Sequence, residues 1–310
     1  MNGVILDFAS VLPHQLEVAG LYELPINWTV FDSTSPEQIT ERITEADLIL
    51  VNKVVLNAAQ LQTAQQLKYI GVMATGTNNI DTHFCAQHNI QVHNAVGYGT
   101  ETVCQHALAL LLTLANRITL NHKAAYQGTW HNSDQFCVLQ HHPIELCGKT
   151  LVIVGYGELG KRFASLANAL GMKVIVAARP GEKSLNRPDF DEVLPEADVV
   201  SLHCLLSEQT QAMMNKTRFQ KMKSSAILIN TARGGLIDEA ALLWALDRDQ
   251  IGGAGLDVLC EEPPQRDNVL LQNQRHNLLI TPHCAWGSIE ARQRLFNQTL
   301  ENIKTALFRS

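Results

Sequence analysis

LVIVGYGELG (Leu151–Gly160), followed by MKVIVAARPG (Met172–Gly181), decides the fold. A β-branched run enters Gly155-x-Gly157-x-x-Gly160, a helix-forming stretch from about Leu159 to Leu170 follows, and a second apolar run comes next. In that context the first glycine permits a tight turn, the second lets backbone approach a pyrophosphate, and the third lets helix pack closely on strand. A glycine-rich turn that binds nothing has the same three residues but does not require the strand, helix and second strand in this order. An acid is expected at the end of the second strand, where it would bond the ribose hydroxyls. Ala178 and Arg179 stand there instead. Loss of the acid removes repulsion against a 2′-phosphate and Arg179 offers a cation to it, although a solvated loop arginine fits that position equally.

Working outward, apolar runs and helical runs alternate on both sides. VILDF, INWTVFD, DLILVNKVV, LKYIGVMATG and IQVHNAVGYG read as strands of a first α/β domain, with SPEQITERITEA as an intervening helix. After Gly148, TLVIVGYG, MKVIVAA, ADVVSLHC, AILINTARGG, GGAGLDV and LLITPH supply the strands of a doubly wound nucleotide domain, with helices near Lys216–Met222 and Asp238–Asp247 among them. The expectation is two Rossmann-like or flavodoxin-like parallel-sheet domains. Residues 1–98 with 287–310 form the substrate domain, because the helical run after Pro282 must dock and crossing back is economical. Residues 99–286 form the dinucleotide domain. Apolar residues crowd from Val103 to Leu120 and read as one buried helix, serving either intrachain core or a homodimer interface. Gln105, His106, Asn116 and Arg117 interrupt it too often for a membrane span.

The 310 residues carry a net charge of -6 and no basic run, which argues against a nucleic-acid or anionic-membrane surface and for a small soluble partner. Seven scattered cysteines without a C-x-x-C pair suggest neither a disulfide framework nor a metal site. With no leader pattern at the N-terminus, a cytoplasmic location is expected.

INTARGGLID, LDVLCEEPP and LLITPHCAW each place a chemical side chain just past an apolar strand: Arg233, Glu262 and His283. Singly, a surface arginine, a loop acid and a core histidine explain them as well. Three strand ends in this order, with MATGTNNID (Met73–Asp81) and VGYGELG, resemble the D-isomer-specific 2-hydroxyacid dehydrogenase family over nearly the whole chain. The resemblance implies chemistry in a cleft between the domains. Arg233 would bind the substrate carboxylate and the reacting carbonyl, His283 would exchange the proton, and Glu262 would orient the imidazole and favour its protonated form. The backbone of Ala74, Thr75, Gly76 and Thr77 would complete the carboxylate site. The cofactor would meet Gly155, Gly157, Glu158, Leu159 and Gly160 at the pyrophosphate and Arg179, Cys204 and Leu205 around the adenosine. Thr231, Ala232, Arg233, Asp257 and His283 would line the nicotinamide end. Leu205 and Ala285 depart from the family's usual Pro and Gly.

Within the family, YGELG, the AxRPG turn and HPIxELxGKT look most like the glycerate dehydrogenase (hydroxypyruvate reductase) branch, with glyoxylate as a second substrate. The absence of a basic cluster and the short stretch after His283 speak against phosphorylated substrates, and Glu262 speaks against formate dehydrogenases, which carry Gln. A D-lactate dehydrogenase is the nearest enzymatic alternative; a nucleotide-sensing binding protein of the same fold is the alternative from another class. NADP(H) is expected ahead of NAD(H), no metal is expected, and the family is commonly homodimeric.

Overall fold

The computed structural model describes residues 1–182 and 186–308. The chain divides into two compact units, Met1–Gly99 with Trp286–Ser310, and Thr100–Ala285.

In the first unit β1 (Asn2–Ile5), β2 (Asn27–Val30), β3 (Leu48–Val51), β4 (Tyr69–Val72) and β5 (Gln91–Asn94) form one parallel sheet in the order β2-β1-β3-β4-β5. Period-two burial splits the wholly buried β3 between two cores. Ile49 and Val51 pack on one face, while Leu48 and Leu50 join Tyr69, Phe296, Leu300 and Ile303 on the other. The last three belong to the helix Ile289–Leu307, which therefore closes this unit's core. The strand order reverses between β1 and β3, where such sheets commonly take ligands. Here the protein fills that position itself. The Asp7 carboxylate accepts the N–H groups of Asn52 (2.8 Å), Lys53 (2.6 Å) and Val54 (3.1 Å).

The second unit carries β6 (Thr150–Val154), β7 (Lys173–Ala177), β8 (Val199–Leu202), β9 (Ile227–Asn230), β10 (Gly253–Leu256) and β11 (Leu278–Ile280), all parallel, in the order β11-β10-β9-β8-β6-β7. Its reversal lies between β6 and β8. Leu151 and Ile153 of β6 face a core shared with the helix Thr100–Ala115; Val152 and Val154 face the opposite one. Glycines in β10 let that helix come close, for a Cβ at Gly255 would lie 2.9 Å from Leu110 Cβ. The single helix expected from Val103 to Leu120 is instead two, Thr100–Ala115 and Ile118–Tyr126, bent by 57°. The break is a backbone event: Arg117 adopts a left-handed conformation (φ 51°) and its guanidinium donates to the Gly252 carbonyl. No single helix among the described residues is long and apolar enough to cross a membrane.

Candidate active site

A parallel sheet sends all its carboxyl ends to one edge, and each second-unit residue singled out from the sequence follows such an end. Gly155 leaves β6 at φ 95°, and a Cβ there would sit 2.5 Å from the Cys204 nitrogen. Only glycine fits, which brings the fingerprint turn against the end of β8 at the sheet's reversal point. A Cβ on Gly160 would lie 2.1 Å from the Gly155 oxygen, so the helix Glu158–Ala169 is pressed onto the turn, whereas a Cβ on Gly157 would meet nothing within 4 Å. The turn is thus tight on the protein side and open in front of the helix N-terminus, where a pyrophosphate's charge is favoured. Glu158 opens the helix and its side chain is bonded to the Thr100 hydroxyl, and Leu159 accepts the Cys104 thiol at its carbonyl.

Past β8, Cys204 is buried and its thiol is pushed up to about 11 by that burial, so it is a wall and not a nucleophile. Leu205 is 77% exposed beside it. Past β9, the buried Asn230 side chain accepts from the Ala232 N–H (3.0 Å) and donates to the Arg233 carbonyl (2.9 Å), clamping the Thr231–Arg233 loop. The Thr231 hydroxyl is sealed from solvent without a hydrogen-bond partner. A buried unmade hydrogen bond is costly, and a polar ligand at this strand end would supply the missing partner. The open Gly157 turn and this orphan hydroxyl together fit a dinucleotide laid along the strand ends.

Gly234 locks the arginine loop to the next one, since a Cβ there would lie 2.0 Å from the Leu259 carbonyl carbon. Glu262 in that neighbouring loop uses one oxygen to accept the Leu259 N–H (2.9 Å) and the other to bond His283 Nδ1 at 2.6 Å. His283 sits past β11 in a left-handed conformation (φ 49°), an uncommon geometry for a side-chain-bearing residue. Asp257 holds it there. That carboxylate, 1% exposed, accepts the Thr281 hydroxyl (2.6 Å) and the N–H groups of Cys284 (3.0 Å) and Ala285 (2.9 Å) on both sides of the histidine. Arg233 is exposed, and among the described hydrogen bonds its guanidinium donates only to the Ala232 carbonyl, not to the Glu262–His283 pair.

Sequence reasoning missed four residues of this assembly. Asn230 had a visible signal, a polar residue ending an apolar strand. Thr281 and His106 had none: His106 Nε2 meets the Thr281 hydroxyl at 2.9 Å from a helix 175 residues away in sequence. Glu182 is the fourth, bonded to Arg179 past β7. His106, Asp257 and Cys284 bring metal-ligating atoms within 4.8 Å of one another, and Asp257 accepts two protein hydrogen bonds on Oδ1 and one on Oδ2. Burial and Asp257 also raise the Cys284 thiol, which keeps it protonated. In the first unit, Ala74–Thr77 follow β4, and among the described residues the N–H groups of Thr75, Gly76 and Thr77 donate to no backbone acceptor.

Residues 108–285 match the family model described as the D-isomer specific 2-hydroxyacid dehydrogenase NAD-binding domain. A glycerate dehydrogenase of Methylorubrum extorquens is 41% identical over 284 residues, which is 91% of this chain and 90% of that protein. The chain belongs to the D-isomer-specific 2-hydroxyacid dehydrogenase family. A second member, the hydroxypyruvate reductase of Blautia hydrogenotrophica, is 35% identical over 99% of this chain and 97% of its own length. Among solved structures, an acyclic imino acid reductase in complex with NADPH and D-Arg superposes with a TM-score of 0.86 at 27% identity, covering 99% of this chain and 97% of that one. The chain is accordingly a nicotinamide-dependent dehydrogenase of this family with two parallel α/β units.

Proposed function

We propose that the protein reduces hydroxypyruvate to D-glycerate and glyoxylate to glycolate, with NADP(H) used ahead of NAD(H). The observation that carries the reading is the Glu262–His283 pair, bonded at 2.6 Å at the carboxyl edge of the sheet that the fingerprint turn also borders. The bound cofactor supplies the hydride. The chain supplies everything else. With Nδ1 facing the Glu262 carboxylate, Nε2 is the imidazole nitrogen that delivers a proton to the carbonyl oxygen as its carbon is reduced, and takes the proton back in the oxidation direction. Glu262, fixed by the Leu259 N–H, orients the ring and balances its positive charge. Arg233 holds the substrate carboxylate with its planar fork. Asp257 positions the backbone around His283 and keeps a lone pair on Oδ2 for a carboxamide.

Glycerate and hydroxypyruvate are favoured because two relatives at 41% and 35% identity, matched over at least 90% of both chains, carry those names. Free thiols at all seven cysteines suit a reducing cytoplasm. Tyr126, Trp130, Phe136 and Leu139, from 55% to 94% exposed within one short segment, suit burial against a second copy of the chain. The test is a panel of 2-oxoacids with each reduced cofactor, followed by near-ultraviolet absorbance. His283→Ala should lower kcat by about a hundred- to ten-thousand-fold, and Arg233→Ala should mainly raise KM for the oxoacid. Cofactor binding without turnover of any small 2-oxoacid would refute the activity; full activity in both variants would refute the residue roles.

A further inference from the structure

The carboxylate missing from the end of β7 reappears three residues past Arg179, folded back onto it. Arg179, Pro180, Gly181 and Glu182 form a hydrogen-bonded β-turn in which the Glu182 N–H donates to the Arg179 carbonyl (2.9 Å) and Gly181 adopts φ 78°. Proline then glycine at the two central positions is the composition of a type II turn, so this hairpin of backbone is stiff. Its stiffness fixes the side chains at its ends. Glu182 Oε2 accepts both the Arg179 main-chain N–H (3.2 Å) and Nε–H (3.1 Å). Among the described residues no hydrogen bond uses Glu182 Oε1 or the two Nη groups of Arg179. The arginine charge also reaches the Cys204 thiol past β8, across the intervening β6.

We propose that Glu182 is a specificity-determining residue that weakens this site's preference for 2′-phosphorylated over unphosphorylated dinucleotides. The inference rests on the reading above that the end of β7 receives the adenosine ribose. Toward a 2′-phosphate the pair is divided: the Nη groups attract it, while the carboxylate clamped beside them repels it. Toward a free ribose the pair acts as one: Oε1 accepts a ribose hydroxyl, replacing the acid that Ala178 lacks, and the arginine is already neutralised. Selectivity for one partner is often built by a repulsive group against the other, and Glu182 is that group here. Because the Arg179 side chain is 47% exposed and that of Glu182 33%, water and salt reduce the repulsion to about a tenfold effect.

The test measures binding directly, with NADPH and NADH and with the fragments 2′,5′-ADP and 5′-AMP, which carry no nicotinamide and undergo no chemistry. Dissociation constants are taken by calorimetry for the intact protein, Glu182→Gln and Arg179→Ala, at low and high salt. Glu182→Gln should tighten the 2′-phosphorylated ligands relative to their unphosphorylated partners by about tenfold at low salt and less at high salt. Arg179→Ala should move the ratio the opposite way. An unchanged ratio in Glu182→Gln, or one shifted toward the unphosphorylated ligands, overturns the proposal while leaving the dehydrogenase reading in place. Failure of the intact protein to bind any of the four ligands overturns both.

Discussion

His203, immediately past β8, provides a pH-dependent stability that belongs to the nucleotide unit alone. Burial depresses the imidazole from 6.5 to about 4. Its Nε2 is within 2.9 Å of the Ser201 hydroxyl, its Nδ1 is buried without a partner, and its ring lies 5.2 Å from that of Phe163. Such a site holds the neutral ring and has no acceptor for a second proton. The unfolded chain takes up its proton below 6.5, whereas the folded chain does not until about 4. Across that window the unfolded state binds more protons, so stability is complete above 6.5, falls as pH falls, and levels off below about 4. At 1.36 kcal/mol per pH unit the window spans about 3 kcal/mol, an upper bound because the side chain retains some accessible surface. Carboxylates act in a different window. Asp191 is held below 3.8 chiefly by the Arg218 guanidinium, so its contribution is lost only as pH falls further. Hydrogen exchange of the segment spanning β8 and His203, corrected for intrinsic rates, reads the local opening free energy. The intact protein should lose protection between pH 6.5 and 4, and His203→Gln, which can keep the Ser201 contact without taking a proton, should flatten that loss. The same slope in the variant, or a loss confined below pH 3.8, would refute the assignment.

Two further outcomes follow from packing. Gly155→Ala places a methyl 2.5 Å from the Cys204 nitrogen at a φ of 95°; it should weaken dinucleotide binding by about a hundredfold or more, and wild-type affinity in calorimetry would contradict the fingerprint reading. The Tyr69 hydroxyl is buried in the first unit without a partner, and burial raises the phenol well above its usual range. Tyr69→Phe should therefore leave urea stability unchanged or raise it by about 1 kcal/mol, and a loss of that size would reveal a hydrogen bond the structure does not contain.

Much of the fold was legible because its causes are local. Runs such as LILV and VVSL are buried on both faces, so they read as unbroken apolar strands, and parallel pairing follows from the helices between them. The position of the candidate residues was legible for the same reason: in a parallel sheet the residue after each strand must lie at the carboxyl edge, so Arg233 and His283 are placed there by counting from strand ends. What supports those residues was not. Thr281 and His106 are joined to each other and to the expected Asp257 by tertiary contacts spanning 24 to 175 residues, and no spacing announces these two. The helix break at Arg117 escaped notice because an apolar run records which residues are buried, not where the backbone turns left-handed.

Glu182 is a different kind of omission. Its contact with Arg179 is three residues long, and Pro180-Gly181 between them is an explicit turn signal. The expected acid has a fixed address, the last residue of the second strand, and that address holds alanine. The chemical requirement is a carboxylate within reach of a ribose hydroxyl, which a tight turn meets from further along the chain. Counting from strand ends therefore predicts residues whose side chains leave the sheet directly, and fails for those that a turn carries back. In this chain that distinction changes the meaning of AARPG: Arg179 is half of an ion pair, and under our proposal cofactor choice depends on how firmly Glu182 holds it.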